Sequence, residues 1–446
     1  MSALISRYAP SLLLVILAFA FFTRMYRVHE PAGYMFDEVY HAVSAKLVAR
    51  NDQRAFEWWH PAPEPDTAID WLHPPTAKYF QAYSMLLFGE NSFGWRFSSV
   101  IFGVGVIWLT FLIAQTAFKN ERLSLIAALL ASFGCLLLVQ SRMAMNDIHV
   151  TFFILLSCYW YFRHWRQTAD KKKYRFFTTR LILSIVAAGI AVATKWSGVF
   201  ALGAIVLGEV LRFVQFGVLK PKSTALQTKS LASLGLLGLL LVLIPTSIYF
   251  ASYSQMFLQG KDFAHFKELH NQIWWYQTNL DATHPYQSRP WQWALNLKPV
   301  WYYVDYQEQK IANIYAFGNS VLYLGGLVAV VASVVQLGAQ LIPAMKHKKP
   351  LKEPVIFALL LLIWYAIVWM PWFVSPRIMF FYHYTPAVPF MTMLASFWVI
   401  KLPKPVQITL IGLTGLFFLI WYPHYTGIAV PKNVADSIYF LFPFWK

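Results

Sequence analysis

Residues 231–251 read LASLGLLGLLLVLIPTSIYFA, a run of twenty-one residues without a charged side chain. A run of this length and composition is typical of a helix that crosses a lipid bilayer. Ten further apolar segments of similar character lie near residues 9–23, 97–117, 123–140, 147–162, 181–194, 197–213, 318–341, 354–371, 378–400 and 405–421. Because 58% of the residues are hydrophobic and only 13% are charged, we predict an all-α polytopic membrane protein with about eleven transmembrane helices.

The placement of lysine and arginine predicts the orientation of these spans. The most basic connection, between Arg163 and Arg180, contains three consecutive lysines, and such loops are typically cytoplasmic. If the N-terminus is also cytoplasmic, an even number of spans must precede this loop. The short segment at 77–88 carries Lys78 and Gln81, and we therefore interpret it as an interfacial helix and not as a span. The C-terminus is then expected outside.

The net charge of +17 is explained by this orientation. Nearly all of the excess positive charge would face the cytoplasm, where it orients the chain and meets anionic lipid headgroups. Membrane lipid is therefore an expected partner, and nucleic acid is not. The two cysteines, Cys135 and Cys158, lie within apolar runs, so the sequence predicts neither a disulfide framework nor a thiolate metal site.

Two long loops on the predicted outer side carry most of the polar side chains. The first, residues 24–96, holds the adjacent acids Asp37 and Glu38, and the second, residues 254–314, is rich in aromatic residues and histidine. Adjacent acids commonly form a solvated loop or the first turn of a helix. At a membrane boundary, however, ionisable side chains are costly, and a pair of them indicates a function. We see no internal repeat and interpret residues 1–446 as a single domain.

Basic residues also lie at the predicted outer level of the membrane. Lys78 falls in the first turn of the interfacial helix, after a double proline that can start a helix. Arg142 and Arg377 lie in short outer turns, and Lys195 lies at the outer end of a span. Each alone is compatible with a side chain that extends to the interface. Because arginine donates two parallel hydrogen bonds to phosphoryl oxygens, their convergence on one face predicts a bound anion.

Six motifs along the chain carry a family resemblance. They are FDEVYH at 36–41, HPPTAK at 73–78, SRMAMND at 141–147, TKWSGVF at 194–200, HPYQSRPWQW at 284–293 and SPRIMFFYHYTPAVPF at 375–390. As a set they resemble the signatures of the protein O-mannosyltransferase family, glycosyltransferase family 39, in its bacterial form without a MIR domain. The resemblance implies a GT-C fold. It also implies inverting transfer of mannose from a polyprenyl-phosphate carrier to Ser or Thr hydroxyls of translocated proteins.

The resemblance further implies roles for individual residues. Asp37 matches the catalytic acid position of the family, and Glu38 matches its neighbour. We expect Asp37 to be the base that accepts the proton of the acceptor hydroxyl, with Glu38 setting its position and pKa. Candidates for binding the donor phosphate are Arg24, Lys78, Arg96, Arg142 and Arg377. Further site candidates in these motifs are His73, Asp147, Lys195, Trp196, His284, Tyr286, His383 and Tyr384.

No metal and no cofactor is predicted, and polyprenyl-phosphate mannose is expected as the lipid co-substrate. The chain has no glycine fingerprint for a nucleotide sugar, whereas a prenyl chain can lie between the spans. None of the histidines in the outer loops shows the spacing of a recognised zinc site; they include His60, His73, His265, His270 and His284.

The other expected partner is a Ser- or Thr-containing protein that arrives from the translocon. The predicted location is the bacterial inner membrane, with the active site on the periplasmic face. The aromatic loop at 254–314 either covers the site and grips an extended acceptor or forms an aromatic belt at the interface. Two alternative functions are a GT-C enzyme with a lipid or glycan acceptor and a transporter or flippase without chemistry. The latter has no use for polar clusters confined to one face.

Overall fold

A computed structural model describes residues 2–61, 63–169, 177–215, 225–347, 349, 351–440, 442 and 445. The α-helices are α1 (Ser2–Met25), α2 (Glu38–Ala49), α3 (Thr76–Phe88), α4 (Ser92–Phe118), α5 (Glu121–Ser132), α6 (Cys135–Gln140), α7 (Asp147–Ala169), α8 (Thr179–Thr194), α9 (Val199–Phe213), α10 (Ala225–Ser252), α11 (Ser254–Leu258), α12 (Phe263–Asn279), α13 (Pro290–Ala294), α14 (Ser320–Lys346), α15 (Glu353–Trp369), α16 (Ala387–Val399), α17 (Lys404–Thr426) and α18 (Lys432–Val434). The strands are β1 (Val300–Tyr306), β2 (Lys310–Ala316) and β3 (Val430–Pro431).

The apolar helices account for the membrane part of the chain. Among the described residues, seven helices are long and apolar enough to cross a membrane by length and composition: α1, α4, α9, α10, α14, α15 and α17. Helices α8 and α16 are shorter and apolar, and α5 and α7 lie at two more of the predicted segments. The chain is a multi-span membrane protein. The count of eleven spans and their orientation stay predictions, and Lys171 to Lys173, on which the orientation rests, lie outside the described residues.

The segment predicted as one span at 123–140 forms two helices. Helix α5 ends at Ser132, and α6 begins after Gly134. A side chain at Gly134 would approach the carbonyl oxygen of Ala131 to 2.9 Å, so the chain turns where only glycine fits without a shift. A single glycine within an apolar run is a weak signal in sequence, and this explains why the break was not predicted.

Helix α3 agrees with the interfacial interpretation of residues 77–88. It has 13 residues, which is too short for a helix to cross a bilayer. Pro75 occupies its N-cap position, and Lys78 lies in its first turn, as the double proline predicts.

The connection between α8 and α9 depends on a close backbone contact. After Thr194 the chain is extended at Lys195, and a 3-10 turn follows over Trp196–Gly198. A Cβ atom at Gly198 would lie 2.2 Å from the carbonyl carbon of Ala191, so only glycine permits this packing. The contact fixes the position of Lys195 at the end of α8.

A small antiparallel sheet, which was not predicted, is formed by a hairpin at the end of the second outer loop together with a short strand after α17. Strands β1 and β2 pair with Trp301 opposite Tyr315, and β3 extends the sheet on the far side of β2. The register shifts between Trp301 and Tyr303, which makes Tyr302 the residue of a β-bulge. Its ring is buried and stacks on the ring of Phe36 at a centroid distance of 4.4 Å. The bulge thus joins the second outer loop to the first.

Candidate active site

A cavity of about 910 Å³ lies between the two outer loops and the ends of several helices. Its wall is formed by the first turn of α2, the loop before α3, the Lys195 turn, the segment after α12 and the segment before α16. The titratable side chains in the wall are Asp37, Tyr40, His41, Asp70, His73, Asp147, Lys195, Tyr276, His284, Arg377, Tyr382 and His383. A largely apolar cavity with a few convergent polar groups is the usual form of a ligand site.

Asp37 reaches this cavity from a strained turn. Phe36 has φ +49°, a left-handed conformation that is uncommon for a bulky residue, and its stacking on Tyr302 holds the turn in place. Asp37 follows as the N-cap residue of α2, yet its carboxylate makes no capping hydrogen bond. The side chain instead lines the cavity, where Tyr382 Oη donates to Asp37 Oδ2 at 3.3 Å.

The surroundings of Asp37 suit a general base. Burial raises the pKa of Asp37 to about 6, against the opposing effect of His41 and Lys195, and Asp147 raises it further. A carboxyl group with this pKa is mostly ionised at neutral pH, yet it binds a proton more readily than an exposed aspartate does. This balance is what proton abstraction from a hydroxyl requires.

Glu38 does not line the cavity and serves a different purpose. Its carboxylate is fully buried and accepts hydrogen bonds from Arg96 Nε at 2.8 Å and Arg96 Nη2 at 2.7 Å. It also accepts the backbone N–H groups of Met35 and Ala144. The guanidinium of Arg96 further donates to the carbonyl oxygens of Val28, Pro31 and Gly33. The guanidinium of Arg96 is therefore occupied by the carboxylate and these carbonyl oxygens. Arg96 does not line the cavity, so the structure does not support the contact with phosphate that was predicted for it.

Arg142 and Arg24 also lie away from the cavity. Arg142 donates to the carbonyl oxygens of Arg24 at 2.7 Å, Tyr26 at 2.6 Å and Arg27 at 3.2 Å. The Nε atom of Arg24 donates to Ser141 Oγ at 3.2 Å. These hydrogen bonds connect the end of α1 to the turn before α7. Arg142 thus satisfies buried backbone carbonyl groups, and Arg24 contributes its Nε to the same junction, while its buried Nη2 makes no hydrogen bond to the described residues.

Lys195 and Arg377 are, among the described residues, the lysine and the arginine that line the cavity. Lys195 Nζ lies 2.8 Å from Asp147 Oδ1 and 5.7 Å from the centroid of the Tyr382 ring. Arg377 donates through Nη1 to Gln277 Oε1, and its Nε makes no hydrogen bond to the described residues. Two cations with donors near the cavity can hold an anionic group there.

A second group of titratable residues, which we call the His–Asp cluster, consists of His41, Asp70 and His73. His41 Nδ1 lies 2.9 Å from Asp70 Oδ2, and His73 Nδ1 lies 2.8 Å from Asp70 Oδ1. Lys78 adds its ammonium group at 3.2 Å from Asp70 Oδ2 and donates to the carbonyl oxygen of His73. Burial alone would raise the pKa of Asp70, but His73, Lys78 and His41 together hold it well below its ordinary value. Asp70 is therefore a carboxylate.

The His–Asp cluster contains residue types that bind metal ions, and its ligand atoms lie within 4.8 Å of one another. Both nitrogen–oxygen distances are those of hydrogen bonds. In addition, Lys78 already supplies positive charge beside the carboxylate. The donor set therefore fits a hydrogen-bonded cluster better than it fits a divalent ion.

The remaining sequence candidates divide between the cavity and its surroundings. Those that line the cavity are His73, Asp147, Lys195, Trp196, His284 and His383. Tyr384 is buried outside it, with its Oη 2.5 Å from Tyr365 Oη. Tyr286 lies beside His284, with ring centroids 5.6 Å apart, and does not line the cavity either.

Four residues of the site were not selected from the sequence. Tyr382 is the neighbour of a selected residue, and its place beside Asp37 depends on a contact across 345 positions. His41 and Asp70 lie within the first outer loop, and the spacing of Asp70 and His73 is too common to indicate a cluster. Gln277 lies in the aromatic loop, where nothing in the sequence distinguishes it.

The geometry can be compared with known proteins. A family model described as dolichyl-phosphate-mannose-protein mannosyltransferase matches residues 14–259. A second, described as the C-terminal four TMM region of protein-O-mannosyltransferase, matches residues 262–436. The chain belongs to the protein O-mannosyltransferase family. The predicted family and the predicted enzyme class, a mannosyltransferase, are thereby confirmed.

Individual relatives agree with this assignment. A polyprenol-phosphate-mannose–protein mannosyltransferase of Mycolicibacterium smegmatis is 26% identical over 97% of this chain and 92% of the relative. The Saccharomyces cerevisiae protein O-mannosyltransferase Pmt1–Pmt2 complex, bound to its sugar donor, matches with a TM-score of 0.76 and 14% identity over 96% of this chain and 91% of that chain. ArnT from Cupriavidus metallidurans, bound to undecaprenyl phosphate, matches with a TM-score of 0.55 and 15% identity over 92% and 63%. The predicted GT-C fold is confirmed.

The different surroundings of the two adjacent acids predict different effects of substitution. Glu38→Gln leaves the buried Arg96 without its counter-charge, and we expect a loss of about 3–5 kcal/mol in the free energy of unfolding. Thermal unfolding of the detergent-purified protein measures this loss. Glu268→Gln, at an exposed position on α12, is the matched control and should change stability by less than about 0.5 kcal/mol. Equal stability of the two variants would contradict the structural role of Glu38.

Proposed function

We propose that this chain transfers mannose to serine and threonine hydroxyls of proteins, with inversion at the anomeric carbon, in the cavity around Asp37. The observation that carries this proposal is that a half-buried carboxyl group with a pKa of about 6 shares one cavity with Lys195 and Arg377. A base and two cations in one enclosed space are what transfer from a sugar phosphate to a hydroxyl needs.

The base acts on the acceptor. As the hydroxyl oxygen attacks the anomeric carbon, its O–H bond breaks and the proton passes to the carboxylate of Asp37. Tyr382 donates to Oδ2, which leaves Oδ1 as the oxygen with the freer lone pairs. Attack from the face opposite the phosphate inverts the configuration. Because phosphate is a good leaving group, no acid is required to protonate it, and Glu38 is not needed as a second catalytic carboxyl group.

The two cations act on the phosphate. The bond between the anomeric carbon and the phosphate oxygen breaks with its electron pair, and negative charge grows on the leaving group. Arg377 can turn donors toward this charge, because its Nε makes no hydrogen bond to the described residues, and among them the bond to Gln277 is the one that has to be exchanged. Lys195 is already oriented by Asp147 at 2.8 Å. Cations that are fixed in position stabilise developing charge more than mobile ions do.

We propose that the cavity opens on the periplasmic side of the bacterial inner membrane. Support comes from the placement of basic residues in the sequence, which assigns both outer loops to that side. The prenyl chain of the donor would lie among the helices. A protein chain that leaves the translocon would present its hydroxyls to the cavity from the same side, before it folds.

The proposed transfer requires no metal ion. The charge that a divalent cation would neutralise on the leaving phosphate is met by Lys195 and Arg377, and the carboxylate of the His–Asp cluster is paired with Lys78. This is the cofactor prediction from the sequence, carried forward as part of the proposal.

Removal of the base tests the reaction. Asp37→Asn keeps the size of the side chain, and we expect transfer to fall by at least about 100-fold with little change in thermal stability. The assay uses purified protein, polyprenyl-phosphate mannose and a Ser/Thr-rich peptide. The wild-type rate should rise with pH through about 6, because the base form of Asp37 is then populated. Mannosylated peptide supports the proposal, whereas a glycolipid or no covalent product contradicts it.

The same assay distinguishes the role of Arg377 from that of Arg142. Arg377→Ala removes a charge that lines the cavity, and we expect the KM for the donor to rise by about ten- to a hundredfold. Arg142→Ala leaves three carbonyl oxygens without their donor and should chiefly lower the melting temperature. A donor KM that changes in the Arg142 variant and stays constant in the Arg377 variant would reverse the two assignments.

A chelator tests metal independence. Transfer by the wild-type protein should be the same, within error, after dialysis against EDTA and in the presence of added magnesium or manganese. Loss of activity with the chelator and its return with one metal ion would contradict this part of the proposal.

A further inference from the structure

We infer that His41 accepts the proton from Asp37 after each transfer and passes it to water, and that Asp70 holds the imidazole in the orientation that this step requires. The inference rests on the proposed role of Asp37 as base. It assigns a task to the His–Asp cluster, which the transfer step itself does not use.

The hydrogen bonds of the cluster determine the tautomer of His41. A carboxylate only accepts hydrogen bonds, so the nitrogen atoms that contact Asp70 must carry the hydrogen atoms. His41 therefore donates through Nδ1, at 2.9 Å from Asp70 Oδ2. Its Nε2 atom then has a free lone pair that can accept a proton. When it does so, the adjacent carboxylate stabilises the imidazolium.

The position of His41 relates it directly to the base. Asp37 is the N-cap residue of α2, and the backbone N–H of His41 donates to the carbonyl oxygen of Asp37 at 3.0 Å. Residues four positions apart lie on one face of a helix. Both side chains line the same cavity.

The chemistry of repeated turnover needs such a group. Each transfer leaves one proton on Asp37, which must be ionised again before the next hydroxyl can react. Asp37 is half-buried, and one of its carboxylate oxygens already accepts from Tyr382. In the proposed step the O–H bond of the carboxylic acid breaks, an N–H bond forms at Nε2 of His41, and the proton then passes to water in the cavity. No electrons are exchanged, and the net product is one solvated proton for each sugar transferred.

His73 is less suited to this task, although it contacts the same carboxylate. Burial lowers the pKa of His73 to about 4, opposed by Asp70 and reinforced by His41 and Lys195. It also lies in the loop before α3 and not on α2 beside the base. Lys78 offsets the negative charge of Asp70.

Two variants of His41 test the inference. His41→Gln can still donate an amide hydrogen to Asp70, but it has no basic nitrogen. We expect kcat to fall by about 100-fold with little change in the KM for donor or acceptor peptide. His41→Ala opens space at the same place, and added imidazole should restore a large part of the lost kcat. Pyrrole has the same ring size without a basic nitrogen and should restore none.

The controls separate this inference from the proposed function. His60→Gln changes a histidine of the same loop that lies outside the cavity, and its kcat should equal that of the wild type with or without imidazole. Absence of transfer by the wild-type protein would refute the proposed function itself. Wild-type transfer that is lost in Asp37→Asn but retained in His41→Gln would refute only the inference. Equal rescue of His41→Ala by imidazole and pyrrole would also refute it, because the ring would then serve packing alone.

Discussion

The geometry of the site depends on the buried ion pair between Glu38 and Arg96. Two oppositely charged groups are stable away from water only when nearly every lone pair and N–H group finds a partner. Here the backbone supplies those partners. The N–H of Ala144 reaches the carboxylate from the turn before α7, and carbonyl oxygens of the first outer loop accept from the guanidinium. The pair therefore joins the loop to two helices at one point, and the strained turn at Phe36 is held between this point and the β-bulge at Tyr302.

The same requirement explains why most basic residues near the cavity do not face it. Where α1 ends, the last carbonyl oxygens have no partner within the helix, and in an apolar environment water cannot supply one. Arg142 supplies the missing donors to the carbonyl groups of Arg24, Tyr26 and Arg27. An arginine at the outer end of a span can therefore either bind an anion or donate hydrogen bonds to the unpaired carbonyl oxygens of a helix end. Arg377 differs from Arg142 because it lines the cavity and keeps an Nε donor that the described residues do not occupy.

The sequence predicts those features that depend on local pattern. Hydropathy locates the helices, the double proline starts α3, and the motif at 36–41 points to Asp37. The sequence does not predict the role of a residue whose partner lies far away along the chain. Glu38 and Arg96 are 58 positions apart, and Arg24 and Ser141 are 117 positions apart. The two adjacent acids, Asp37 and Glu38, look alike in sequence, and only the fold distinguishes their roles. The hairpin at 300–316 was not predicted for another reason: its aromatic residues are equally typical of a membrane interface and of a strand.

The covalent link between Asp37 and Glu38 has a consequence for motion. Their Cα atoms are about 3.8 Å apart, so the reactive side chain is one peptide unit from a buried ion pair that holds the backbone in place. Little conformational entropy remains for the base to lose when the reactants bind. The carboxylate of Asp37 therefore stays in one position, and the sugar, the lipid carrier and the incoming polypeptide must adjust their positions to it.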